Sequence, residues 1–435
     1  MKIFDTYSQE YQEIKNKIIN IYVCGPTVYN HVHLGNIRPL ITFDVLNRYF
    51  QFQKIKVNYV HNITDIDDKI IKQAAFENVP ELVLSVNYAN AYLEIMNKLN
   101  VIPMKNPKVS ENIEGIISYI EKLIQNQSAY VVDGNVYFDI SLIPNYGSLS
   151  KMKTEDLLSG ERVEVNEDKK NPLDFVLWKK TTEGIVWDSP WGKGRPGWHT
   201  ECAFLINSEF NSESINIHGG GIDLRFPHHE NENAQHYALF HKNITDNWMH
   251  VGHLNIDNQK MSKSTNNFIY VKQLLETYNY ATIRWIFYQT HYRSPLNFNN
   301  QVLQVAVKDI ERIFLTLNKS KTLLILANKP LPTNLTTNTN FLAAIEDDLN
   351  FANATKAIWS LISNINTSQN NKDYDKLITL CEELMWCLWM YGIEPQNIHN
   401  KSNIDLIKQW NNKLKNKEYD KADELRTKLM NKKLL

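Results

Sequence analysis

Short apolar runs alternate with helical patterns in the first part of the chain. Residues 18–24 form a β-branched run that stops at Gly25-Pro26, which predicts a buried strand entering a loop. Apolar residues at helical spacing from Leu40 to Phe50 predict a helix, and residues 55–60 predict a second strand. A strand, a helix and a strand in this order indicate a parallel sheet, which binds ligands at the carboxyl ends of its strands.

The same patterns divide the rest of the chain. Residues 81–127 have a helical pattern, and a turn-rich segment with short strands at 130–132 and 136–138 follows. The α/β pattern resumes at 214–217 and 248–251, and beyond about residue 300 the chain is helical apart from a Pro, Thr and Asn-rich linker at 329–340. The predicted fold class is α/β: a Rossmann-type parallel-sheet catalytic domain split by an insertion, then an all-α helical bundle and a small C-terminal module.

Composition narrows the class of protein. The chain has 435 residues, 43% of them hydrophobic, which is enough for several domains with buried cores. No run approaches the roughly 20 apolar residues of a membrane helix, and the first residues lack the pattern of a signal peptide. Four scattered cysteines do not indicate a disulfide framework, so we expect a reducing, cytoplasmic location and no membrane partner.

The net charge of −1 predicts that any nucleic-acid binding comes from local patches. One such patch covers residues 401–435, with ten Lys or Arg against five Asp or Glu. Charge alone fits a basic solvated helix as well as it fits an RNA contact.

Two motifs suit phosphate binding. His33-Leu34-Gly35-Asn36 opens the helix after the first strand, where free N–H groups and the helix dipole favour an anion. Gly35 allows a nucleotide to approach the backbone, and His33 can donate a hydrogen bond to phosphate. Far along the chain, Lys260-Met261-Ser262-Lys263-Ser264 places two lysines and two hydroxyls on one loop. Either motif alone is more often an ordinary solvated turn.

A third segment, residues 218–233, combines glycines with metal-binding residue types. His218 precedes Gly219-Gly220-Gly221, which allow a base or ribose to lie against bare backbone. Pro227 suits the first turn of a helix on which His228 and Glu232 share one face. Such a pair can bind a metal but is more often a surface ion pair. Isolated cysteines, such as Cys24 and Cys202, are more often small buried hydrophobes.

These motifs together resemble a known family. His33–Asn36 and Lys260–Ser264 are similar to the HIGH and KMSKS signatures of class I aminoacyl-tRNA synthetases, with Asn36 in place of the second histidine. Four further segments are similar to cysteinyl-tRNA synthetases, and the match runs to about residue 300: Cys24–Tyr29, Asn62–Lys69, Asn171–Lys179 and Gly194–Cys202.

The resemblance implies ATP-dependent attachment of L-cysteine to its tRNA through a cysteinyl-adenylate. It implies that one zinc ion, held by Cys24, Cys202, His228 and Glu232, selects the substrate thiolate over a serine hydroxyl. It also implies that ATP binds with Mg²⁺ and that no editing domain is needed.

The resemblance assigns roles to single residues. The catalytic residues are expected to be His33, Asn36, Lys260 and Lys263. The ATP contacts are expected to be His33, Gly35, Asn36, His218, Gly219, Gly220, Gly221, Lys260, Met261, Ser262, Lys263 and Ser264. The substrate cysteine is expected to meet Gly25, Thr64, Trp198 and Asp223, although Trp198 alone could be a core residue. Because Asn36 is uncharged, the two lysines are expected to supply more of the charge at the phosphates.

The family pattern also predicts the domains. The Rossmann halves are expected at 1–120 and 201–260, around a connective insertion at 121–200. A KMSKS and stem-contact region is expected at 261–305, and a helical bundle at 306–395. A small anticodon-side module is expected at 396–435, truncated because the strand-forming tail usual in bacterial members is missing after Leu435. We expect a monomer whose partners are ATP, L-cysteine and tRNA.

Two alternatives stay open. The first is a ligase that joins cysteine to a small amine, against which the basic segment after residue 400 argues. The second is an inactive, synthetase-like RNA-binding protein, for which Asn36 and the missing tail are the support.

Overall fold

The computed structural model describes residues 1–151, 168–211, 213–260 and 268–435. Within them the chain forms two compact units. The first unit comprises Met1–Leu254, Lys260–Leu274 and Arg293–Pro295, and the second comprises Asn255–Gln259, Leu275–Tyr292 and Leu296–Leu435. The domain boundaries given by the family pattern stay predictions.

The strands of the described ranges are mostly short. They are β1 (Lys2–Asp5), β2 (Glu10–Glu13), β3 (Ile18–Val23), β4 (Lys56–His61), β5 (Ala129–Val132), β6 (Asn135–Phe138), β7 (Phe175–Lys180), β8 (Gly194–Pro196), β9 (Ile215–Gly221), β10 (Thr245–Val251), β11 (Leu254–Ile256), β12 (Gln259–Lys260) and β13 (Leu296–Phe298).

The α-helices fall before and after these strands. They are α1 (Leu34–Phe52), α2 (Asp68–Glu77), α3 (Glu81–Lys98), α4 (Ile113–Gln125), α5 (Trp198–Glu209), α6 (Glu230–Phe240), α7 (Val271–Thr277), α8 (Tyr280–Phe287), α9 (Asn300–Leu326), α10 (Thr339–Glu346), α11 (Phe351–Asn371), α12 (Tyr374–Met390), α13 (Lys401–Lys415) and α14 (Tyr419–Asn431).

A four-stranded parallel sheet lies at the centre of the first unit. Its order is β10-β9-β3-β4, so the chain leaves β3 toward one side and later returns to its other side. The predicted strand, helix and strand are confirmed as β3, α1 and β4, and the predicted strands at 214–217 and 248–251 are confirmed within β9 and β10. The direction of strand order changes between β3 and β9, which places a crevice at their carboxyl ends.

Buried apolar residues of these strands contribute to the core of the first unit. Tyr22 from β3, Val60 from β4 and Trp248 from β10 belong to one buried cluster, which extends into helices α4 and α5. Helix α1 is buried on nearly all sides, from Leu34 to Phe50. The sheet and the packing around α1 therefore hold the first residues of this helix at the edge of the sheet.

The turn-rich part of the sequence forms a second sheet. Strands β5, β6, β7 and β8 pair antiparallel in sequence order, between helices α4 and α5. Small sheets also join β1 with β2 and join β11 with β12 and β13.

The second unit is mainly helical, as predicted beyond residue 300. Helix α9 packs against α8, α11 and α13, while α11 packs against α12. A separate apolar cluster joins α9 with the last two helices through Ile325, Ile407, Leu429 and Leu434. Among the described residues, none of the helices combines the length and apolarity that crossing a bilayer requires.

Candidate active site

A cleft at the carboxyl end of the parallel sheet is the candidate active site. Its volume is about 350 Å³, and its walls come from the segments that follow β3, β4, β9 and β10 and from the start of α5. In open α/β sheets, ligands bind at this edge. Predicted site residues in the lining of the cleft are Cys24, Gly25, His33, Gly35, Asn36, Thr64, Trp198, Cys202, Asp223 and His228.

Helix α1 begins at the cleft with reciprocal hydrogen bonds. The N–H of Gly35 donates to Nδ1 of His33 at 3.2 Å, and the N–H of His33 donates to Oδ1 of Asn36 at 3.0 Å. This arrangement is a capping box, which satisfies free N–H groups at the helix start. Burial lowers the pKa of His33 to about 4, so the ring is neutral at physiological pH. Because Nδ1 accepts, Nε2 carries the proton and can donate to an anion.

Four potential metal ligands converge at the base of the cleft. Cys24 follows β3, Cys202 lies in α5, His228 lies in an irregular turn before α6, and Glu232 lies in the first turn of α6. The two sulfur atoms are 3.8 Å apart, and Cys24 Sγ is 3.4 Å from Glu232 Oε1. His228 Nε2 lies 2.7 Å from the same oxygen, and all four ligand atoms are within 4.8 Å of one another. The residues predicted as a metal set therefore form one cluster.

The dimensions of this cluster fit a tetrahedral ion. Distances of about 2.3 Å to sulfur and about 2.0 Å to nitrogen or oxygen separate two sulfur ligands by about 3.8 Å and a nitrogen and an oxygen by about 3.3 Å. The sulfur spacing matches, and the imidazole and carboxylate need to separate by only about 0.6 Å to admit an ion of this size. Two thiols with an imidazole and a carboxylate suit zinc better than magnesium or calcium.

A second group of four side chains overlaps the first. Cys24 and Glu232 also approach His218 and His229 within 4.8 Å. Both ring nitrogens of His218 are occupied, however: Nδ1 lies 3.1 Å from a carbonyl oxygen of β3 and Nε2 lies 2.5 Å from Glu232 Oε2. Nδ1 of His229 lies 2.9 Å from Nε2 of His250. His218 therefore orients the carboxylate of Glu232, as outer partners of metal ligands do.

The two anionic groups of the cluster favour binding of a cation, and a metal ion would displace the proton of His228. Burial disfavours ionisation of Glu232, but His228 and His218 outweigh it and hold the pKa of this carboxyl well below its usual range. Burial also works against a charged His228, yet Glu232 raises the pKa of the ring to about 10. A hydrogen bond from the Cys24 thiol lowers the pKa of Cys202 to about 6 despite burial, whereas burial raises the pKa of Cys24. An ionised thiol and carboxylate are the forms that bind metals.

His199 is a residue that the sequence analysis missed. Its Nδ1 lies 3.1 Å from Nδ1 of His228, on the side of that ring opposite the metal cluster. Burial and the neighbouring His228 lower the pKa of His199 to about 3, so its neutral ring can accept a hydrogen bond. The signal for it was its position on the same helix as Cys202, three residues earlier.

Trp198 forms a wall of the cleft rather than part of the core. Its side chain is 37% exposed and stacks on the ring of His228, with centroids 4.3 Å apart. Gly25 and Thr64 also line the cleft. A Cβ atom at Gly25 would lie only 1.6 Å from the backbone oxygen of Asn62, so only glycine fits there. Asp223 lines the cleft after β9. All four residues predicted to meet cysteine thus share one cleft.

The predicted nucleotide contacts of the glycine segment stay a prediction. His218, Gly219 and Gly220 are buried in β9, and only Gly221 is partly exposed. A Cβ atom at Gly219 would lie 2.2 Å from the ring of Phe43 in α1, so glycine is required by helix packing. The lining of the cleft contains none of these four residues. The lysine motif lies mostly outside the described residues: Lys260 ends β12, and Met261, Ser262, Lys263 and Ser264 follow it.

Comparisons with known proteins agree with this arrangement. Residues 10–308 match the model of the class I tRNA synthetase (C) catalytic domain, and residues 340–388 match the DALR domain. A methionyl-tRNA synthetase from Mycobacterium tuberculosis in complex with methionyl-adenylate has the same fold, with a TM-score of 0.64 at 12% identity over 90% of this chain and 93% of that one.

Relatives in the curated collections match along the whole chain. A cysteine–tRNA ligase from Mycoplasmoides gallisepticum is 53% identical over 100% of both chains. The cysteine–tRNA ligases of Ureaplasma parvum and Mycoplasma genitalium are each 48% identical, over 99% and 100% of both chains respectively. The chain therefore belongs to the cysteine–tRNA ligase family of class I aminoacyl-tRNA synthetases.

Proposed function

We propose that this chain joins L-cysteine to its tRNA in two steps. The cysteine carboxylate attacks the α-phosphate of ATP and releases pyrophosphate, and the cysteinyl group then passes to the terminal ribose of the tRNA. The observation that carries the proposal is one cleft that holds both a cluster suited to a thiolate and a helix start suited to phosphate. Positioning and electrostatic stabilisation drive such phosphate chemistry.

The start of α1 serves the nucleotide in this proposal. The neutral His33 donates from Nε2 to a phosphate oxygen, and Gly35 leaves the helix N-terminus open to it. Asn36 donates from its amide, while its oxygen stays in the helix cap. Lys260 and Lys263 are proposed to add positive charge as ATP reacts, with Met261, Ser262 and Ser264 as further contacts. Mg²⁺ bound with ATP would neutralise part of the triphosphate charge.

The cluster of Cys24, Cys202, His228 and Glu232 serves the amino acid. Bound zinc would favour a thiolate sulfur over a hydroxyl oxygen, which separates cysteine from serine more strongly than pocket shape does. Trp198, Gly25 and Thr64 hold the rest of the substrate in place, and Asp223 meets its ammonium group or the ribose. Zinc as the resident metal and these contacts are parts of the proposal.

The helical region supplies the tRNA side. The helices from α9 onward would support the tRNA stem, and α13 and α14 form the basic segment proposed to face the anticodon. A monomeric state and a cytoplasmic location complete the proposal.

Pyrophosphate exchange tests the whole assignment. The purified full chain should exchange labelled pyrophosphate into ATP only with cysteine, and should charge tRNA from a matched organism. Exchange without charging, together with consumption of a small amine, would instead identify the small-amine ligase. Loss of both activities in a folded, metal-loaded protein would identify the inactive RNA-binding protein.

Metal analysis with Cys202→Ser tests the zinc cluster. The wild type should contain close to one zinc per chain, and the variant should lose most of it because a neutral hydroxyl replaces a thiolate ligand. Cys381→Ser is the matched control, since Cys381 is buried in α12 of the other unit. A wild type free of zinc that still rejects serine would contradict the assignment.

A further inference from the structure

Asn62 lies directly behind the wall of the cleft that is proposed to meet cysteine. Its side chain is fully buried, and it is not part of the cleft lining. The N–H of Gly25 donates to Asn62 Oδ1 at 2.8 Å, and Asn62 Nδ2 donates to Thr64 Oγ1 at 3.2 Å. The sulfur of Cys202 lies 3.8 Å from the same Oδ1. One amide therefore touches two pocket residues and one metal ligand.

The direction of these hydrogen bonds is fixed by their partners. The backbone N–H of Gly25 can only donate, so the atom that faces it must be the amide oxygen of Asn62. The amide nitrogen then faces Thr64, where the hydroxyl oxygen accepts. A flipped amide would bring a donor against a donor inside the protein, which costs on the order of 1–3 kcal/mol.

The backbone groups of Thr64 and Gly25 are bonded within the protein. The N–H of Thr64 donates to the carbonyl oxygen of Pro26 at 3.2 Å, and its carbonyl accepts from the N–H of Val28 at 3.0 Å. The N–H of Gly25 donates to Asn62. Neither N–H is therefore left to donate to a substrate, and the side chain that these two residues present to the cleft is that of Thr64.

The Thr64 hydroxyl is held by Asn62, which donates to it at 3.2 Å. The oxygen of the same Asn62 amide lies 3.8 Å from the sulfur of Cys202, so the partner of the hydroxyl is tied to the metal cluster. In cysteine, only two carbon atoms separate the thiol from the ammonium group. A pocket for both groups needs the hydroxyl fixed relative to the sulfur ligands, because small misplacements weaken such sites.

We propose that Asn62 is a positioning residue for the cysteine pocket, which sets the place of the Thr64 hydroxyl relative to the metal cluster. The inference rests on the proposed function of the cleft. Asn62 itself does not touch substrate, and it acts through Thr64. Its loss weakens binding of cysteine while leaving binding of ATP unchanged.

The test measures KM for cysteine and for ATP separately in pyrophosphate exchange. Asn62→Ala should raise KM for cysteine about 10-fold and change KM for ATP less than about twofold, because the two hydrogen bonds that are lost both hold residues proposed to meet cysteine. Asn58→Ala is the matched control. Asn58 lies in strand β4, four residues before Asn62, and donates to Asn20 Oδ1 at 2.8 Å. It should leave both KM values unchanged.

A double-variant cycle shows whether Asn62 acts through Thr64. Thr64→Val removes the hydroxyl at nearly constant shape, and adding Asn62→Ala to it should raise KM for cysteine little further. Should Asn62→Ala fail to fold, Asn62→Asp keeps the acceptor for Gly25, removes the donor to Thr64 and should show the same selective rise.

Four results would overturn the proposal: additive effects in the cycle, an equal rise in both KM values, loss of zinc from Asn62→Ala, or normal kinetics of every Asn62 variant. A wild type with no cysteine-dependent exchange would instead reject the proposed function, so the two failures are distinct.

Discussion

Asn36 is held by the helix that it helps to start. Its Oδ1 accepts the N–H of His33, while its side chain is exposed at the cleft. Its amide hydrogens take no part in this cap, so they can donate to an anion at the helix N-terminus. A neutral amide fixed in this way supplies a directed hydrogen bond where the family pattern has a histidine.

The two roles of Asn36 can be separated by substitution. Asn36→Ala should lower the single-turnover rate of adenylate formation about 100-fold, because a donor to developing charge is lost. It should also lower the free energy of unfolding by about 1 kcal/mol through loss of the cap. Asn36→Asp keeps the cap acceptor, so its stability should stay near wild type while its rate stays low. An unchanged rate in Asn36→Ala would remove this residue from the mechanism.

Helix α1 is attached to the far wall of the cleft by one buried side chain. Nη1 of Arg38 donates to the carbonyl oxygens of Gly252 and His253 at 2.7 and 2.9 Å, and Nη2 donates to that of Ser294 at 2.7 Å. Burial lowers the pKa of Arg38 to about 10, which still leaves the guanidinium charged at neutral pH. Gly252 and His253 line the cleft. Arg38 therefore fixes the distance between this wall of the cleft and helix α1, which begins at the cleft.

Arg38→Met should therefore affect both stability and nucleotide binding. Three carbonyl groups lose charged donors, so the free energy of unfolding should fall by about 2–3 kcal/mol. KM for ATP should rise several-fold more than KM for cysteine, because Arg38 lies in the helix whose start is proposed to bind the phosphates. Arg38→Lys keeps the charge without the two-nitrogen fork. Its free energy of unfolding and its KM for ATP should therefore lie between those of the wild type and those of Arg38→Met. Lower stability with an unchanged KM for ATP would limit Arg38 to a structural role.

The elements near the site show what a local pattern can predict. The β-branched run before Gly25 forms β3, and the residues at helical spacing after Leu40 form α1. Both could be predicted because buried positions repeat with a different period in a strand and in a helix. The glycines after His218 show where a local pattern is ambiguous. A glycine needed for ligand approach and one needed for packing against Phe43 look alike in sequence, and only the tertiary contact separates them.

Across the whole molecule, the candidate site depends on strand order. The metal cluster joins side chains as far apart as Cys24 and Glu232, which are 208 positions apart in the chain. They meet because β9 lies beside β3, and no local period encodes that pairing. Only the pair His228 and Glu232, four residues apart, could be predicted from spacing. Family resemblance supplied the cysteines, and neither route found Asn62, whose role depends on contacts with Gly25 and Thr64.

Buried neutral histidines should make the folded chain sensitive to acid. His61 and His236 are almost completely buried, and burial lowers the pKa of each to about 4. The unfolded value is about 6.5. Above pH 6.5 both states are neutral and the groups have no effect. As the pH falls from 6.5 toward 4, only the unfolded chain binds protons, so the free energy of unfolding falls, by about 1 kcal/mol per histidine at pH 5.5.

Urea unfolding of the wild type and His236→Gln at pH 7.5 and pH 5.5 measures this effect. Nδ1 of His236 lies 2.9 Å from Asn207 Oδ1, and a glutamine amide can replace that donor without titrating. The variant should therefore lose about 1 kcal/mol less stability between the two pH values than the wild type loses. Because the metal cluster is intact in both proteins, its own pH dependence cancels in the comparison. Equal losses in the two proteins would show that the His236 ring does not stay neutral in the folded chain.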